Sequence, residues 1–321
     1  MAQRPMLWNE RAGRSKRMAN TINKYSISRV STRKASGSSW VSAMTQPLSR
    51  KKDGSKKDTE LVIQTKGLVK TFGNLRAVDG LDLGITRGQL YGLLGPNGCG
   101  KTTTIRMIMG LLKITDGWAE VLGTRVPNKD LMKRIGYMPQ ETAVYRELTV
   151  HDNVELFGEM YDVPVKNMKK REKELLELVE LSDWRDSMAE DLSGGMMHRL
   201  SLACSLMHDP EVMFLDEPTV GVDPQLRDSL WHHFQDLCMK GKTIILTTHY
   251  IEESRHCDLV GLMRDGKIIA EDAPRALMQK AGTETLEDAF LFFTRGVERK
   301  RRTDTTTPVK DVTKDTGGEE E

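Results

Sequence analysis

Gln89-Leu90-Tyr91-Gly92-Leu93-Leu94, running straight into Gly95-Pro96-Asn97-Gly98-Cys99-Gly100-Lys101-Thr102-Thr103, is the stretch on which the fold turns. Its first part is an apolar, strand-like run, and Gly95 to Thr102 fits the pattern G-x-x-x-x-G-K-[ST]. From Thr102 to Leu111 the apolar residues fall at helical spacing. Strand, glycine loop and helix in that order give the pattern its physical meaning. Gly95, Gly98 and Gly100 let the backbone curl until successive N–H groups face one point, and such a nest at a helix N-terminus binds phosphate. In this reading Lys101 adds a point charge to the β- and γ-phosphates, and the Thr102 hydroxyl is placed to ligate Mg²⁺.

Downstream, Val212-Met213-Phe214-Leu215-Asp216-Glu217 is an apolar strand ending in two carboxylates. Buried carboxylates are costly unless cations or protons offset them. Mg²⁺ supplies that offset for Asp216. Adjacent strand residues point to opposite sides, so Glu217 is expected to face elsewhere, toward an attacking water, as general base. Leu192-Ser193-Gly194-Gly195 lies between these two phosphate-handling sequences.

Around this centre, Leu61 to Ile63, the stretch at Leu68-Val69, Leu81 to Ile85 and Gln89 to Leu94 read as strands. Ile135 to Met138 is another, and residues 141 to 192 are helical and charged, with Lys169 to Glu174 as a solvated face. A helix is expected over Met196 to Met207. Then come a strand to Leu215, a helix over Pro224 to Met239, a strand over Thr243 to Thr247 and a helix over Tyr250 to His256. A hairpin about Asp265-Gly266 and two short helices, Pro274 to Lys280 and Leu286 to Thr294, complete the ordered part. The alternation argues for an α/β fold with a mostly parallel sheet, N-terminal antiparallel strands and an inserted α-helical subdomain at about 141–208.

The ends differ in character. Residues 1–60 are basic and sparse in aliphatics, with Glu10 the one carboxylate before Asp53; 296–321 form a charged tail. Both are expected to be disordered. The first segment shares its composition with organellar transit peptides and with basic arms on anionic lipid, so those readings stay open. The net charge of +2 gives no reason to expect a nucleic-acid partner. The four cysteines are far apart without C-x-x-C pairing, which fits a reducing compartment. No run approaches the roughly 18 apolar residues of a membrane span.

The stretch from Leu61 to Arg295 resembles the nucleotide-binding subunit of ATP-binding cassette (ABC) transporters, on the strength of Gly95–Thr102, Leu192–Gly195 and Val212–Glu217 in that order. The resemblance implies a P-loop NTPase (RecA-like) core and assigns further residues. Phe72, 29 positions before Lys101 (101 − 72), stands where the family stacks an aromatic on adenine. Gln140 matches the glutamine that reaches Mg²⁺ and the attacking water. Ser193, Gly194 and Gly195 match the segment that caps a γ-phosphate held by a second subunit, so a head-to-tail homo- or heterodimer around two ATP molecules is implied. Met196 stands where the family usually has Gln. Asp223 matches the loop that couples the two sites, and His249 the switch histidine on the γ-phosphate. The other histidines (151, 198, 208, 232, 233, 256) carry no motif and are read as surface or packing residues, and Cys99 as a small side chain that fits its loop.

Thr219 to Pro224, Thr248 to Glu253 and Leu286 to Phe290 resemble the exporter branch with ABC-2-type membrane partners, close to drug-export ATPases and class G and H half-transporters. The implied protein is an ATPase peripheral to the cytoplasmic face of a membrane, driving export through a transmembrane subunit. The alternatives are a soluble ABC ATPase acting on ribosomes or DNA, a non-catalytic regulatory cassette, or an ATPase-domain fragment of a half-transporter.

Overall fold

The computed structural model describes residues 60–304. The basic segment expected over 1–60 and the tail beyond 304 lie outside the described residues, apart from Glu60. Two sheets organise the chain. The first has four antiparallel strands in the order β2 (Leu75–Thr86), β1 (Leu61–Phe72), β4 (Asp116–Val121), β5 (Thr124–Arg125). The second has six, in the order β10 (Lys267–Asp272), β9 (Leu259–Arg264), β3 (Leu90–Leu94), β8 (Thr243–Thr248), β7 (Val212–Asp216), β6 (Ile135–Met138). All its neighbours pair in parallel except the edge hairpin β9–β10.

Every residue of β3, β7 and β8 is buried, as expected of central strands covered on both faces. The period of two sorts their side chains into two cores. Leu90, Leu94, Met213, Leu215, Ile244 and Leu246 join one cluster with residues of α2 (Val150–Met160), α3 (Val165–Leu178), α4 (Gly194–Leu206) and α5 (Pro224–Met239). Tyr91, Leu93, Val212, Phe214 and Ile245 join the other, with the antiparallel sheet and α1 (Lys101–Ile108). Each fully buried Leu, Ile or Phe contributes roughly 2 kcal/mol, so this alternation fixes the sheet between its two layers.

The structure departs from the sequence expectations in five places. Leu61 to Phe72 is one strand rather than two, interrupted by an irregularity near Gly67, whose φ is +56° and whose N–H donates to Asp82 Oδ1 at 2.6 Å. Strands β4 and β5 were not expected; Trp118, Val121 and Thr124 favour strands, but Asp116, Gly117, Ala119 and Glu120 are poor strand formers, and pairing with β1 makes the strand. The helix expected over Tyr250 to His256 is a 3-10 helix over Ile251–His256. The run Lys169 to Glu174 is not wholly solvated. Glu172 is buried against Arg185 Nε at 2.8 Å and His151 Nδ1 at 2.7 Å, while Arg171 donates to the Leu206 and Met207 carbonyls at 2.6 and 2.7 Å, capping the end of α4. Finally, after α6 (Pro274–Ala281), helix α7 (Leu286–Asp304) continues past Arg295, where the charged tail was expected to begin. Glu298 to Arg302 are good helix formers and simply extend it. Among the described residues no helix is long and apolar enough to cross a membrane.

Candidate functional site

Parallel strands place the residues that follow their C-terminal ends along one edge, where ligands bind in folds of this kind. Here the glycine loop follows β3, Gln140 follows β6, Asp216 ends β7 with Glu217 just after it, and His249 follows β8. The register sets Met138 beside Leu215, Asp216 beside Thr247 and Leu94 beside Thr248.

In the loop, Gly100 adopts φ +110°, and a Cβ there would lie 2.4 Å from the Ala77 carbonyl oxygen. Only glycine fits. The loop is braced from behind, since Gly266 of the β9–β10 turn donates its N–H to the Cys99 carbonyl at 3.0 Å. Cys99 is buried, and burial pushes its thiol up, away from the reactive thiolate. The N–H groups at the start of α1 have no carbonyl upstream, and its first turn carries no acid, so its positive end is uncompensated. Lys101 arches over the loop, donating from Nζ to the Gly95 and Pro96 carbonyls at 2.7 and 3.1 Å. Pro96, Asn97 and Gly98 are exposed, while Thr102 and Thr103 are half-buried in the first turn.

Asp216 is 1% exposed. Its Oδ1 accepts from the Thr247 hydroxyl, and its buried Oδ2 has no protein donor. An unpartnered carboxylate oxygen at the end of a buried strand fits a cation ligand.

Glu217 corrects one expectation. It does not continue the strand with its side chain on the opposite face; its φ is +57°, so the chain turns as it leaves β7. All its polar groups are held. The amide donates to the Thr247 carbonyl at 3.1 Å, and the carbonyl accepts from His198 Nε2 at 2.9 Å and from the Val220 N–H at 3.2 Å. Oε1 lies 3.1 Å from His249 Nδ1, and Oε2 accepts from Gln140 Nε2 at 3.5 Å. Since a carboxylate only accepts, Nδ1 of His249 carries the proton. Gln140, Glu217 and His249, far apart in sequence, are thus one cluster.

The remaining expected residues stand at their own helix starts or on the antiparallel sheet. Ser193 caps α4, accepting from Met196 N at 3.2 Å; Ser193 and Gly194 are exposed, and the first turn again lacks an acid. Gly195 packs on the Gly221 loop so closely that a Cβ would lie 2.6 Å from the Gly221 oxygen. Met196, the departure from the family pattern, packs half-buried onto the helical core. Asp223 caps α5, accepting from Leu226 N at 3.1 Å. Phe72, at the end of β1, is 48% exposed, with Lys70 Nζ 4.8 Å from its ring centre.

Two residues at the cluster went unread in the sequence, Thr247 and His198. A hydroxyl at a buried strand end two residues before His249 was the available signal for the first. His198 gave none, because its partner is a backbone carbonyl. Of the other histidines, His208 stacks on Tyr161 with ring centres 3.8 Å apart, and His256 on Trp231 at 5.2 Å, as packing residues do. His151, Asp152 and Glu155 cluster closely enough to suggest a metal. However, Asp152 is bonded to Thr149 in the cap of α2, and His151 to Glu172 and Arg185.

The sequence pattern of the ABC transporter family matches residues 78–220. The chain is 39% identical over 239 residues to the probable multidrug ABC transporter ATP-binding protein YbhF of Escherichia coli (strain K12), covering 72% of this chain but 41% of that protein. It is 39% identical over 230 residues to the Nod factor export ATP-binding protein I of Ralstonia nicotianae, covering 70% of this chain and 72% of that one. A nucleotide-free ATP-binding cassette from an ABC transporter superposes with a TM-score of 0.61 at 27% identity, covering 72% of this chain and 99% of the other. A dimeric post-hydrolysis cassette bound to ADP and Pi gives 0.61 at 26% identity, covering 66% and 98%. With its P-loop, paired strand-end carboxylates and these relatives, the chain belongs to the ABC transporter family as an ATP-binding cassette.

Proposed function

We propose that this chain is the ATP-hydrolysing subunit of an exporter, with residues 61–295 as the cassette and about 141–208 as its helical subdomain. The observation that carries the reading is the grip of Gln140 and His249 on the Glu217 carboxylate beside the unpartnered oxygen of Asp216. The loop amides from Gly95 to Thr103, with the start of α1, cradle the phosphates, and Lys101 leaves the loop carbonyls for the β- and γ-phosphates. Phe72 offers an exposed face for adenine. Thr102, Asp216 and Gln140 would hold Mg²⁺, which neutralises charge on the phosphate oxygens. Glu217 takes a proton from the attacking water, Gln140 orients that water, and His249 contacts the γ-phosphate while fixing the carboxylate.

Ser193, Gly194, Gly195 and the exposed start of α4 form the second half of the site for a nucleotide on another cassette, and Asp223 lies at that contact. Two such subunits close around two Mg·ATP, binding supplies the stroke and hydrolysis resets it. Support for export comes from the resemblance of Thr219–Pro224 and Thr248–Glu253 to the exporter branch, and from relatives named for multidrug and Nod factor export. The partner is an ABC-2-type transmembrane subunit, with this chain peripheral on the cytoplasmic face.

The test is affinity capture of the tagged full chain, carrying Glu217→Gln and held in Mg·ATP, from detergent-solubilised membranes. Co-purification of a polytopic membrane protein supports the reading. Recovery of ribosomes or DNA-repair factors in its place overturns export and leaves the ATPase chemistry standing.

A further inference from the structure

Glu217 is held in a backbone conformation it would not adopt unaided. Its φ is +57°, and Pro218 follows it. A proline disfavours the right-handed helical region for the residue before it, so the relaxed alternative is extended backbone continuing β7. That change would swing the carboxylate off His249 and Gln140. The amide side of the residue is tied to β8 through the Thr247 carbonyl. The Glu217 carbonyl accepts two bonds, one from the Val220 N–H at 3.2 Å within its own turn and the other, the shorter, from His198 Nε2 of α4 at 2.9 Å, so His198 is its tie to another element. His198 is 7% exposed, and burial lowers its basicity, so the ring is neutral with its proton on the nitrogen that faces the carbonyl.

We propose that His198 is a positioning residue for Glu217, and that through this bond the start of α4 controls the carboxylate of its own subunit. The proposal rests on the reading that Ser193 to Gly195 receives the phosphate of a second subunit. Ser193 caps α4 and His198 lies five residues on (198 − 193), about 7.5 Å along the helix axis. One rigid helix start therefore touches both halves of the chemistry. Its exposed end meets the nucleotide of the partner, and its buried face holds the backbone carbonyl of the residue whose carboxylate serves this subunit's own nucleotide. A nucleotide docking on the outer end shifts the donor, and the Glu217 peptide follows because its alternative conformation lies close at hand. No covalent step is added; the bond transmits position.

The test uses the full chain with His198→Leu, which keeps bulk without a donor, and His198→Gln, which restores an N–H within reach. ATP turnover is followed against ATP concentration with Mg²⁺, alongside melting curves, the wild type and Glu217→Gln. The expected result for H198L is a kcat about tenfold lower at little changed KM. Its Hill coefficient is expected to fall toward about 1, the value for sites that no longer couple. H198Q recovers most of both, although both variants melt below wild type. If H198L is unfolded, His198→Met, flexible enough to fill the space, replaces it. Wild-type turnover and cooperativity in H198L, or equal loss in H198Q and H198L, overturns the proposal while the difference between wild type and E217Q still supports ATP hydrolysis. If the wild type neither binds nor turns over Mg·ATP, the functional reading falls, and this proposal with it.

Discussion

Replacing Thr247 by Val removes one hydroxyl and keeps a β-branched side chain on a fully buried strand. That hydroxyl is the donor to Asp216 Oδ1, and it also accepts from the Glu217 amide at 3.2 Å. The amide retains a second acceptor, the Thr247 carbonyl at 3.1 Å, so its loss is slight. Asp216 has no such reserve, because it is 1% exposed and its Oδ2 has no protein donor. A hydrogen bond to a charged group contributes about 1.5–3 kcal/mol, and a buried acceptor left bare costs at the upper end. We therefore expect T247V to lose about 3 kcal/mol. For a domain of this size that corresponds to a Tm lower by about 6–12 °C. Thr247→Ser is the control: it keeps the hydroxyl and removes a methyl, for about 1 kcal/mol and a drop of about 2–4 °C. Calorimetry of the nucleotide-free full chain at neutral pH separates the two. A T247V melt within about 2 °C of wild type, or above that of T247S, refutes the view that this hydroxyl supports the strand-end carboxylate.

Glu217→Gln keeps the side-chain shape but cannot take a proton; kcat should fall about 10²–10⁴-fold with ATP affinity retained, and unchanged turnover removes Glu217 as general base. Two glycine variants should behave oppositely. Gly100→Ala forces a Cβ to 2.4 Å from the Ala77 oxygen at φ +110°, so nucleotide binding should weaken more than about tenfold in a fluorescent-nucleotide titration. Gly194→Ala meets no atom within 4 Å, so folding and ATP binding should persist while ATP-driven dimerisation, read by light scattering, is lost. Lost ATP binding in G194A, or normal binding in G100A, contradicts the assignment of the two segments. Burial, foremost among the causes, lowers the pKa of His198, His208, His233 and His256. The unfolded chain then binds more protons below its ordinary histidine pKa of about 6.5, so stability rises with pH through that window and is lost as pH falls. The urea midpoint should be steady above pH 7 and drop toward pH 5; a flat midpoint rejects buried neutral histidines.

What could be read from the sequence divides along a physical line. The central strands were legible because they are buried on both faces, and continuous apolar runs such as Val212 to Leu215 have no other soluble home. The glycine loop was legible because its backbone demands glycine at fixed positions, most sharply at Gly100. Strands β4 and β5 were not, because the strand formers Trp118, Val121 and Thr124 are scattered among Asp116, Gly117, Ala119, Glu120 and Gly123, and pairing with β1 supplies the ladder. The same limit governs the site. Gln140, Asp216, Glu217 and His249 carry family motifs, but their assembly around one carboxylate comes from the parallel register of β6, β7 and β8. The turn at Glu217 could not be foreseen by strand alternation, since a positive φ breaks that period, and neither could the bonds from Thr247, Val220 and His198 that secure its backbone. The Glu217 amide and carbonyl that Thr247 and His198 hold are backbone groups, which every residue possesses, so no pattern of side chains announces those two bonds. Signals of chemistry therefore lie in side-chain motifs, whereas the control of that chemistry lies in backbone contacts that appear only once the chain is folded. His198 is the case in point: a residue without a motif, joined by one hydrogen bond to the residue on which the ATPase reading depends.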